Sequence, residues 1–385
     1  MKELKIFLSA GEASGDLHAS ELMKALRAEG GAGVRFTFLG GDLMAAAAGH
    51  APLVDYRDMA YMGFSEVLRN LGKVRRNLAA ARAAIRRERP DAVVLVDYPS
   101  FNLRLAREAH VLGIPVYYFI APKVWAWKKW RVRQLRKYCT RVLSILPFEV
   151  NFFKEHGVPV EYVGNPSLSE IDARRRELPA AGELLCRAGL PEGAKYIALV
   201  PGSRRGEIRN NLPLMAEAAG QFAEYKAIVA GAPGIEAAFY RQYTSLPVLA
   251  DSTFALMAHA EAALVTSGTA TLECALLETP QVICYRGNGS PLTYNIMKHI
   301  LTIPFVSLPN LITGRETARE LLLHLCTAEA IAAELSRILP GGEGRAQQLA
   351  GYAELRRRLA DPADAPRRAA HIILNSLPER STQGF

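Results

Sequence analysis

A turn with two glycines near the start of the chain, Ser9-Ala10-Gly11-Glu12-Ala13-Ser14-Gly15-Asp16, contains two carboxylates, Glu12 and Asp16. The apolar run at residues 4–8 and the helical leucine pattern that follows place this turn between a strand and a helix. Backbone N–H groups at such a turn favour an anion or a developing oxyanion, whereas a plain connection is the structural alternative. Since a loop for phosphate alone gains nothing from carboxylates, we take four of its residues as candidates: Glu12 as a base, and Ser14, Gly15 and Asp16 as substrate contacts.

Asp97 follows the near-continuous apolar run at residues 91–96, a pattern typical of a parallel strand buried on both faces. Ligands of open α/β sheets bind outside the carboxyl ends of the strands. Asp97 is therefore a candidate general base, with an N-cap for the next helix as the alternative.

All three tryptophans lie in the stretch at residues 121–131, among lysines and arginine, after a predicted strand at residues 116–120. Tryptophan beside lysine can stack nucleic-acid bases, lie at a lipid interface or line a sugar pocket. We predict substrate contacts for Trp125 and Trp127; packing against the first turn of a helix is the alternative for each.

Two turns in the second half suit a diphosphate. Gly202-Ser203-Arg204 follows a predicted strand at Tyr196–Val200, and Ser267-Gly268-Thr269 enters a helix after residues 262–265. Arginine, hydroxyls and helix N–H groups are donors to phosphate. Glu273, one turn inside that helix, is placed to accept from ribose hydroxyls, and an exposed helical glutamate is the alternative.

Alternating strands and helices surround these residues throughout. Further strands are predicted at residues 34–39, 142–145, 161–163, 226–230, 247–249 and 281–285. The pattern predicts an α/β protein of two Rossmann-like domains facing across a cleft, with a connection at residues 164–176. We assign residues 1–167 and 168–342 to the domains and residues 343–385 to C-terminal helices that cross back or swap between chains. Residues 307–312 are predicted as an irregular loop, and the chain from about residue 315 as helical.

A basic amphipathic helix is predicted at residues 64–87, with apolar residues at helical spacing and arginines on its remaining surface. A core stripe with a solvated basic face accounts for its second half. Its first half fits a membrane surface, through Phe64, Val67, Leu68, Leu71, Arg69, Lys73, Arg75 and Arg76.

The composition is that of a globular protein, with 50% hydrophobic residues and a net charge of +9 over 385 residues. This charge favours an anionic partner such as nucleic acid, a nucleotide or an acidic membrane. Because no apolar run is long enough to cross a bilayer and no signal-peptide layout opens the chain, we expect a cytoplasmic protein. Five dispersed cysteines argue against a disulfide framework and a zinc site.

A base on one lobe and a diphosphate site on the other suit sugar transfer from a nucleotide. The sequence contains no G-x-G-x-x-G after a strand, no Walker A lysine motif, no metal-binding H-x-x-E-H helix and no G-x-S-x-G nucleophile elbow. The chemistries that depend on these motifs are therefore not supported. Arginine and helix dipoles take over charge neutralisation, so neither a metal nor another cofactor is predicted.

The ordered set of motifs from Ser9 to Glu320 resembles the lipid-A-disaccharide synthases. The motifs are the Ser9–Asp16 turn, Asp97-Tyr98-Pro99 with Phe101-Asn102, Val124-Trp125-Ala126-Trp127, Leu146-Pro147-Phe148-Glu149, Pro201-Gly202-Ser203-Arg204, Ser267-Gly268-Thr269 with Thr271-Leu272-Glu273, and Ser307-Leu308-Pro309-Asn310.

This resemblance implies the GT-B fold and inverting transfer. The expected reaction joins UDP-2,3-diacylglucosamine to 2,3-diacylglucosamine 1-phosphate through a β-1,6 bond and releases UDP. The enzyme is expected to be peripheral on the cytoplasmic face of a Gram-negative inner membrane, where the basic amphipathic helix would hold it, and without a nucleic-acid partner. A homodimer through the late helices is left open.

By resemblance, Asp97 is the family's essential aspartate and Arg204 the arginine of the nucleotide side. Asn102 contacts substrate, and Glu273, Asn310 and Glu316 complete the uridine-diphosphate site. The chain departs from the pattern twice: Ser100 stands where relatives often carry a second acid, and Leu323 where they usually have glutamine.

Two other function classes fit part of the pattern. A UDP-N-acetylglucosamine 2-epimerase, or the peptidoglycan glycosyltransferase acting on lipid I, would keep the architecture with another chemistry. A nucleic-acid or membrane-binding module would account for the charge and the tryptophan–lysine run, and predicts steeply salt-dependent binding to bare nucleic acid.

Overall fold

A computed structural model of the chain describes residues 3–59, 71–125, 129–287, 304–360 and 364–377. The chain divides into two compact units. The first is Met1–Pro166 together with Asp361–Phe385, and the second is Ser167–Ala360.

The first unit alternates strands and helices along the chain. Its strands are β1 (Leu4–Ala10), β2 (Val34–Gly40), β3 (Val54–Asp55), β4 (Ala92–Val96), β5 (Val116–Phe119), β6 (Arg141–Ser144) and β7 (Val160–Tyr162). Its helices before residue 166 are α1 (Ala13–Gly30), α2 (Asp42–Ala48), α3 (Leu71–Glu88), α4 (Pro99–Val111), α5 (Val132–Tyr138) and α6 (Pro147–Glu155).

All pairings in the first sheet are parallel, in the order β3-β2-β1-β4-β5-β6-β7. Hydrophobic clusters cover both faces of this sheet, which explains the continuous apolar run of β4. Ala10 at the end of β1 is paired with Val96 at the end of β4. The turn after Ala10 and the carboxylate of Asp97 are therefore at the same edge of the sheet.

The second unit repeats the alternation around a six-stranded parallel sheet, in the order β10-β9-β8-β11-β12-β13. Its strands are β8 (Tyr196–Val200), β9 (Lys226–Gly231), β10 (Val248–Ala250), β11 (Ala262–Thr266), β12 (Gln281–Tyr285) and β13 (Glu320–Leu322). Its helices are α7 (Pro166–Arg175), α8 (Ala181–Arg187), α9 (Arg205–Ala219), α10 (Ala237–Tyr240), α11 (Thr253–His259), α12 (Thr269–Leu276), α13 (Leu308–Thr313), α14 (Ala328–Ile338) and α15 (Arg345–Leu359).

Three predictions of local structure are wrong. The charged stretch at residues 172–176 is not an open connection but largely helix α7, supported by an ion pair between Glu170 and Arg174. Residues 308–312 form helix α13 with a proline in its first turn rather than a loop. The stretch after residue 315 contains the edge strand β13, whose leucines imitate a helical pattern and whose Leu321 is buried.

The late part of the chain is shared between the units. Helix α15 packs against α13 within the second unit, and the last helix, α16 (Ala365–Asn375), packs against α1 in the first. The hydroxyls of Tyr117 on β5 and Ser376 lie 2.7 Å apart and add a polar contact to that packing.

Helix α3 carries the second half of the predicted basic amphipathic helix. Leu78, Ala81 and Ile85 are buried in the core of the first unit, as the spacing predicts. The membrane candidates Phe64, Val67, Leu68 and Arg69 lie outside the described residues, as does the side chain of Leu71. Among the helices of the described ranges, none combines the length and apolar character needed to span a bilayer.

Candidate functional site

The carboxylate of Asp97 stands at the carboxyl end of central strand β4, on a backbone held in an unusual conformation. Asp97 and Tyr98 have φ angles of 43° and 44°, in the left-handed region that side chains other than glycine rarely adopt. Two such residues cost roughly 1–3 kcal/mol each, so the surrounding structure must hold them. Strain of this kind is concentrated at functional sites.

Asn102 supplies much of that support from the first turns of α4. Its Nδ2 donates to the carbonyl oxygens of Asp97 at 2.8 Å, Val96 at 3.1 Å and Ser9 at 3.3 Å. Its Oδ1 accepts from the hydroxyl of Ser9 at 2.7 Å. The side chain is fully buried, so the geometry favours a positioning role over the substrate contact predicted from resemblance. It ties the end of β1 to the end of β4.

Two tyrosines complete the support of this turn. The buried Tyr118 hydroxyl donates to the carbonyl oxygen of Asp97 at 2.6 Å, and the Tyr98 hydroxyl donates to the carbonyl oxygen of Met59 at 2.7 Å. The Tyr98 ring lies against Gly11, where an added Cβ would come within 2.3 Å of a ring atom. Gly11 is thus required by the close approach of Tyr98.

Burial raises the pKa of the Asp97 carboxyl above its ordinary value, while the Lys123 ammonium and the backbone N–H of Tyr98 partly oppose this rise. A carboxylate with a raised pKa is a better proton acceptor than a fully solvated one. Lys123 was not predicted as a site residue. Its position in the tryptophan–lysine run was the available signal.

Glu149, a fully buried carboxyl at the start of α6, is close enough to Asp97 and Lys123 to interact with both charges. Burial raises its pKa to about 7, and hydrogen bonds from Ser144 and Trp125 partly oppose this. Trp125 is only 5% exposed, and its indole packs edge-on against Phe148. Trp125 therefore has a packing role in this structure, whereas Trp127 lies outside the described residues.

The opening turn divides into exposed and structural residues. Glu12 is the half-buried N-cap of α1, and Ser14 is exposed in the first turn of that helix. Gly15 is buried close to Ala10 of β1. The Asp16 carboxylate is buried and accepts backbone N–H groups at the start of α2, the shortest from Gly41 at 2.6 Å. Asp16 thus stabilises α2, and the geometry favours this role over substrate contact.

The first of the two turns predicted to bind phosphate leads from β8 into α9. Gly202 has a φ of 113°, and an added Cβ there would lie 2.6 Å from the Glu207 carboxylate. Glu207 accepts from the backbone N–H groups of Ser203 at 3.1 Å and Arg204 at 3.3 Å, and pairs with the exposed Arg204 guanidinium at 3.2 Å. Glu207 was not predicted. Glu207 lies three residues after Arg204, the N-cap residue of α9, and this spacing is that of a capping box. The spacing was the signal that could have identified Glu207.

The second turn predicted to bind phosphate follows β11. Gly268 is the N-cap of α12, and both Gly268 and Thr269 are exposed, while Ser267 is half-buried. Burial raises the pKa of the Glu273 carboxyl in the next turn, Glu170 adds to this rise by repulsion, and Arg174 opposes it. Gly268 and Thr269 are therefore accessible at the start of α12, beside a half-buried carboxyl.

Asn310 and Glu316 do not share that environment. Asn310 is fully buried, and its amide uses both oxygen and nitrogen within the unit, towards the backbone of Thr317 and Ala318 and the Glu320 carboxylate. The geometry favours a positioning role for Asn310. Glu316 pairs with Arg319 at 3.0 Å, just before the amino end of β13. The two turns predicted to bind phosphate, in contrast, follow the carboxyl ends of β8 and β11.

The remaining membrane candidates lie at the start of α3. Lys73 pairs with Asp58 at 2.6 Å, whereas Arg75 and Arg76 are exposed. Within the described ranges, no group of three or more His, Cys, Asp and Glu side chains is arranged to hold a metal ion.

Comparison with known sequences assigns this arrangement to a family. The sequence model of the family described as lipid-A-disaccharide synthetase matches residues 6–367. The lipid-A-disaccharide synthase of Myxococcus xanthus (strain DK1622) is 39% identical over 387 residues, which cover 97% of this chain and 98% of that protein.

Solved structures share the fold at low sequence identity. The glycotransferase of kitacinnamycin is 17% identical with a TM-score of 0.60, covering 98% of this chain and 100% of that one. A UDP-GlcNAc 2-epimerase from Neisseria meningitidis, bound to UDP-GlcNAc, is 12% identical with a TM-score of 0.59, covering 98% and 99%. These likenesses concern the fold alone, and they confirm the predicted GT-B class.

Proposed function

Because the chain belongs to the lipid-A-disaccharide synthetase family, and is thus a glycosyltransferase of lipid A biosynthesis, we propose the following reaction for it. UDP-2,3-diacylglucosamine and 2,3-diacylglucosamine 1-phosphate condense to the β-1,6-linked disaccharide 1-phosphate, and UDP is released. The acyl chains require access to a membrane. We place the enzyme at the cytoplasmic face of the inner membrane, held by the segment that leads into α3.

The chemistry is a single displacement. The 6-hydroxyl oxygen of the acceptor forms a bond to the anomeric carbon of the donor as the bond from that carbon to the diphosphate oxygen breaks. The leaving electron pair goes to UDP, and the hydroxyl proton goes to the Asp97 carboxylate. Attack from the face opposite UDP inverts the anomeric configuration.

The observation that carries this proposal is the Asp97 carboxylate itself. It is half-buried, its pKa is raised, and Asn102 and Tyr118 hold its backbone in a strained conformation at the carboxyl end of β4. This combination serves a general base, which must be fixed in place and must hold a proton transiently. Glu12, at the same edge of the sheet, is the second candidate.

The second unit is proposed to hold the nucleotide. The N-terminal turn of α12 would donate to the diphosphate through Gly268 and Thr269, and Glu273 would accept from the ribose hydroxyls. Arg204, exposed at the start of α9, would neutralise the developing charge on UDP, and Glu207 keeps its guanidinium close to the turn.

Incubation of the purified protein with both proposed substrates, followed by mass analysis, tests the reaction. We expect a tetra-acylated disaccharide phosphate and one UDP for each disaccharide. Asp97→Asn should fold with a melting temperature no lower than that of the wild type, because burial disfavours the carboxylate, and should lose about 10²- to 10⁴-fold in turnover. Near-normal turnover of that variant would falsify the role of Asp97. A matching loss in Glu12→Gln, with Asp97→Asn active, would transfer it to Glu12.

A further inference from the structure

Arg131 is one of the arginines of the first unit that have no carboxylate partner among the described residues, and it differs from the half-buried Arg27, which donates to the carbonyl oxygens of Ala47 and Ala48. Several others reach carboxylates, for example Arg57 to Asp42 and Asp55, and Arg141 to Glu161. Within the described part of the chain, Arg131 instead reaches a hydroxyl and a ring: its Nη2 donates to Ser100 Oγ at 3.0 Å, and its guanidinium lies 5.5 Å from the centre of the Trp130 ring.

This guanidinium is also partly withdrawn from water. Arg131 is half-buried, and burial lowers its pKa, whereas Arg133 and Arg136 on the following helix are exposed. An exposed arginine is satisfied by solvent, but a half-buried one without a carboxylate keeps an uncompensated charge. Such a charge, beside an exposed hydroxyl that can itself donate a hydrogen bond, is matched by an anion.

Other groups around Arg131 are compatible with an anion. Ser100 lies three residues after Asp97, on the first turn of α4, and is exposed. Lys123, in the segment after β5, acts on Asp97, and Arg131 reaches Ser100 on the helix that follows Asp97. Burial raises the pKa of the Glu149 carboxyl to about 7, so this carboxyl is only partly ionised near neutrality.

We propose that Arg131 and Ser100, assisted by Lys123, bind the phosphate monoester of the acceptor sugar and so select a phosphorylated acceptor. A guanidinium and a hydroxyl are typical donors to phosphate oxygens. This inference deepens the proposed function and rests on it: the nucleotide would be bound by the second unit, and the phosphate of the acceptor by the first.

Activity towards two acceptors tests the assignment. The wild-type enzyme is given 2,3-diacylglucosamine 1-phosphate or the same sugar without phosphate, and Arg131→Met and Arg133→Met are compared with it. We expect Arg131→Met to raise the KM for the phosphorylated acceptor by roughly 10- to 100-fold. Its KM for the unphosphorylated acceptor and for the donor should hardly change, and Arg133→Met should match the wild type.

Other outcomes separate the alternatives. An unchanged preference for the phosphorylated acceptor in Arg131→Met, or an equal loss with both acceptors, overturns the phosphate site while the condensation itself stands. If Arg131→Met binds phosphatidylglycerol vesicles less well but keeps its acceptor preference, Arg131 contacts a lipid headgroup. This outcome also overturns the phosphate site.

A binding experiment keeps the inference testable even if no disaccharide is formed, which would defeat the proposed function. Soluble glucosamine 1-phosphate is titrated against wild type, Arg131→Met and Arg133→Met, and ligand signals are followed by NMR. Weaker binding by Arg131→Met alone supports the phosphate site. Equal binding by all three proteins overturns it.

Discussion

The indole Nε1 of Trp125 donates a 2.8 Å hydrogen bond to Oε1 of the buried Glu149 carboxyl. The second oxygen of that carboxyl accepts from the Ser144 hydroxyl at 2.5 Å. These bonds join the segment after β5 to the end of β6 and the start of α6. Lys123 lies in that same segment, two residues before Trp125, so the buried carboxyl helps to position the cation that acts on Asp97.

The raised pKa of Glu149 predicts a pH-dependent cost of folding. The unfolded chain ionises this carboxyl around its ordinary value of 4.5, whereas the folded protein holds the proton until about 7. The destabilisation is therefore absent below about pH 4.5, grows as the pH rises through this window and is complete above 7. Glu149→Gln should thus be more stable relative to wild type at pH 8 than at pH 5, by roughly 1–3 kcal/mol.

Urea unfolding at both pH values measures this difference. Glu155→Gln, an exposed change on the same helix, is the matched control and should show no such difference. A variant whose relative stability is the same at pH 5 and pH 8 would show that Glu149 ionises normally in the folded protein.

Lys123 should set the acid limb of the turnover profile. Turnover requires the Asp97 carboxylate, so kcat falls as the pH drops through the pKa of this group. Lys123 lowers that pKa, and its removal should raise it further. We expect Lys123→Met, assayed at saturating acceptor, to move the acid limb to higher pH, with Lys129→Met unchanged. An unmoved limb in Lys123→Met would exclude its influence on the base.

The strands were predictable because burial on both faces leaves a continuous apolar signature. The run at residues 91–96 predicts β4 to within a residue, and the prediction for Tyr196–Val200 coincides with β8. Asp97 was predictable for the same reason, since a charge that directly follows such a run lies at the edge of the sheet. The three-residue strand β13 was missed because Glu320–Leu322 lies among leucines that also fit a helix.

The partners of buried polar side chains could not be predicted, because they depend on contacts between residues far apart in sequence. Asp16 was interpreted as a substrate group, yet it holds the start of α2 some 25 residues later. Asn102 reaches back 93 residues to Ser9. The sequence indicates polar residues near a site but not whether their hydrogen bonds are used within the fold.

Asn102 should matter for both stability and turnover. Its replacement by alanine leaves buried carbonyl oxygens of β1 and β4 without their donor. We expect Asn102→Ala to lower the free energy of unfolding by roughly 2–4 kcal/mol. Because the Asp97 backbone loses its support, kcat should fall while the KM for the donor stays near that of the wild type.

Thermal melting and steady-state kinetics check this result against Asn151→Ala, an exposed change on α6 that should alter neither. A variant that melts early but retains full kcat at low temperature would restrict Asn102 to a purely structural role.

Replacement of Glu273 by glutamine should stabilise the folded protein and at the same time weaken its binding of UDP. Its carboxyl is half-buried and its pKa is raised, so ionisation at neutral pH destabilises the folded unit. Glu273→Gln removes this cost, which is absent below the pKa of the unfolded chain and grows as the pH rises above it. The variant should therefore gain stability at pH 8 relative to pH 4, and its affinity for UDP should fall by roughly 10-fold because a charge-assisted acceptor is lost.

Calorimetric titration with UDP and urea unfolding at the two pH values measure both effects, and Glu217→Gln, exposed on α9, is the control. Unchanged UDP affinity in a stabilised Glu273→Gln would assign the carboxyl to the fold alone, since a group that binds the ribose cannot be neutralised without weakening the complex.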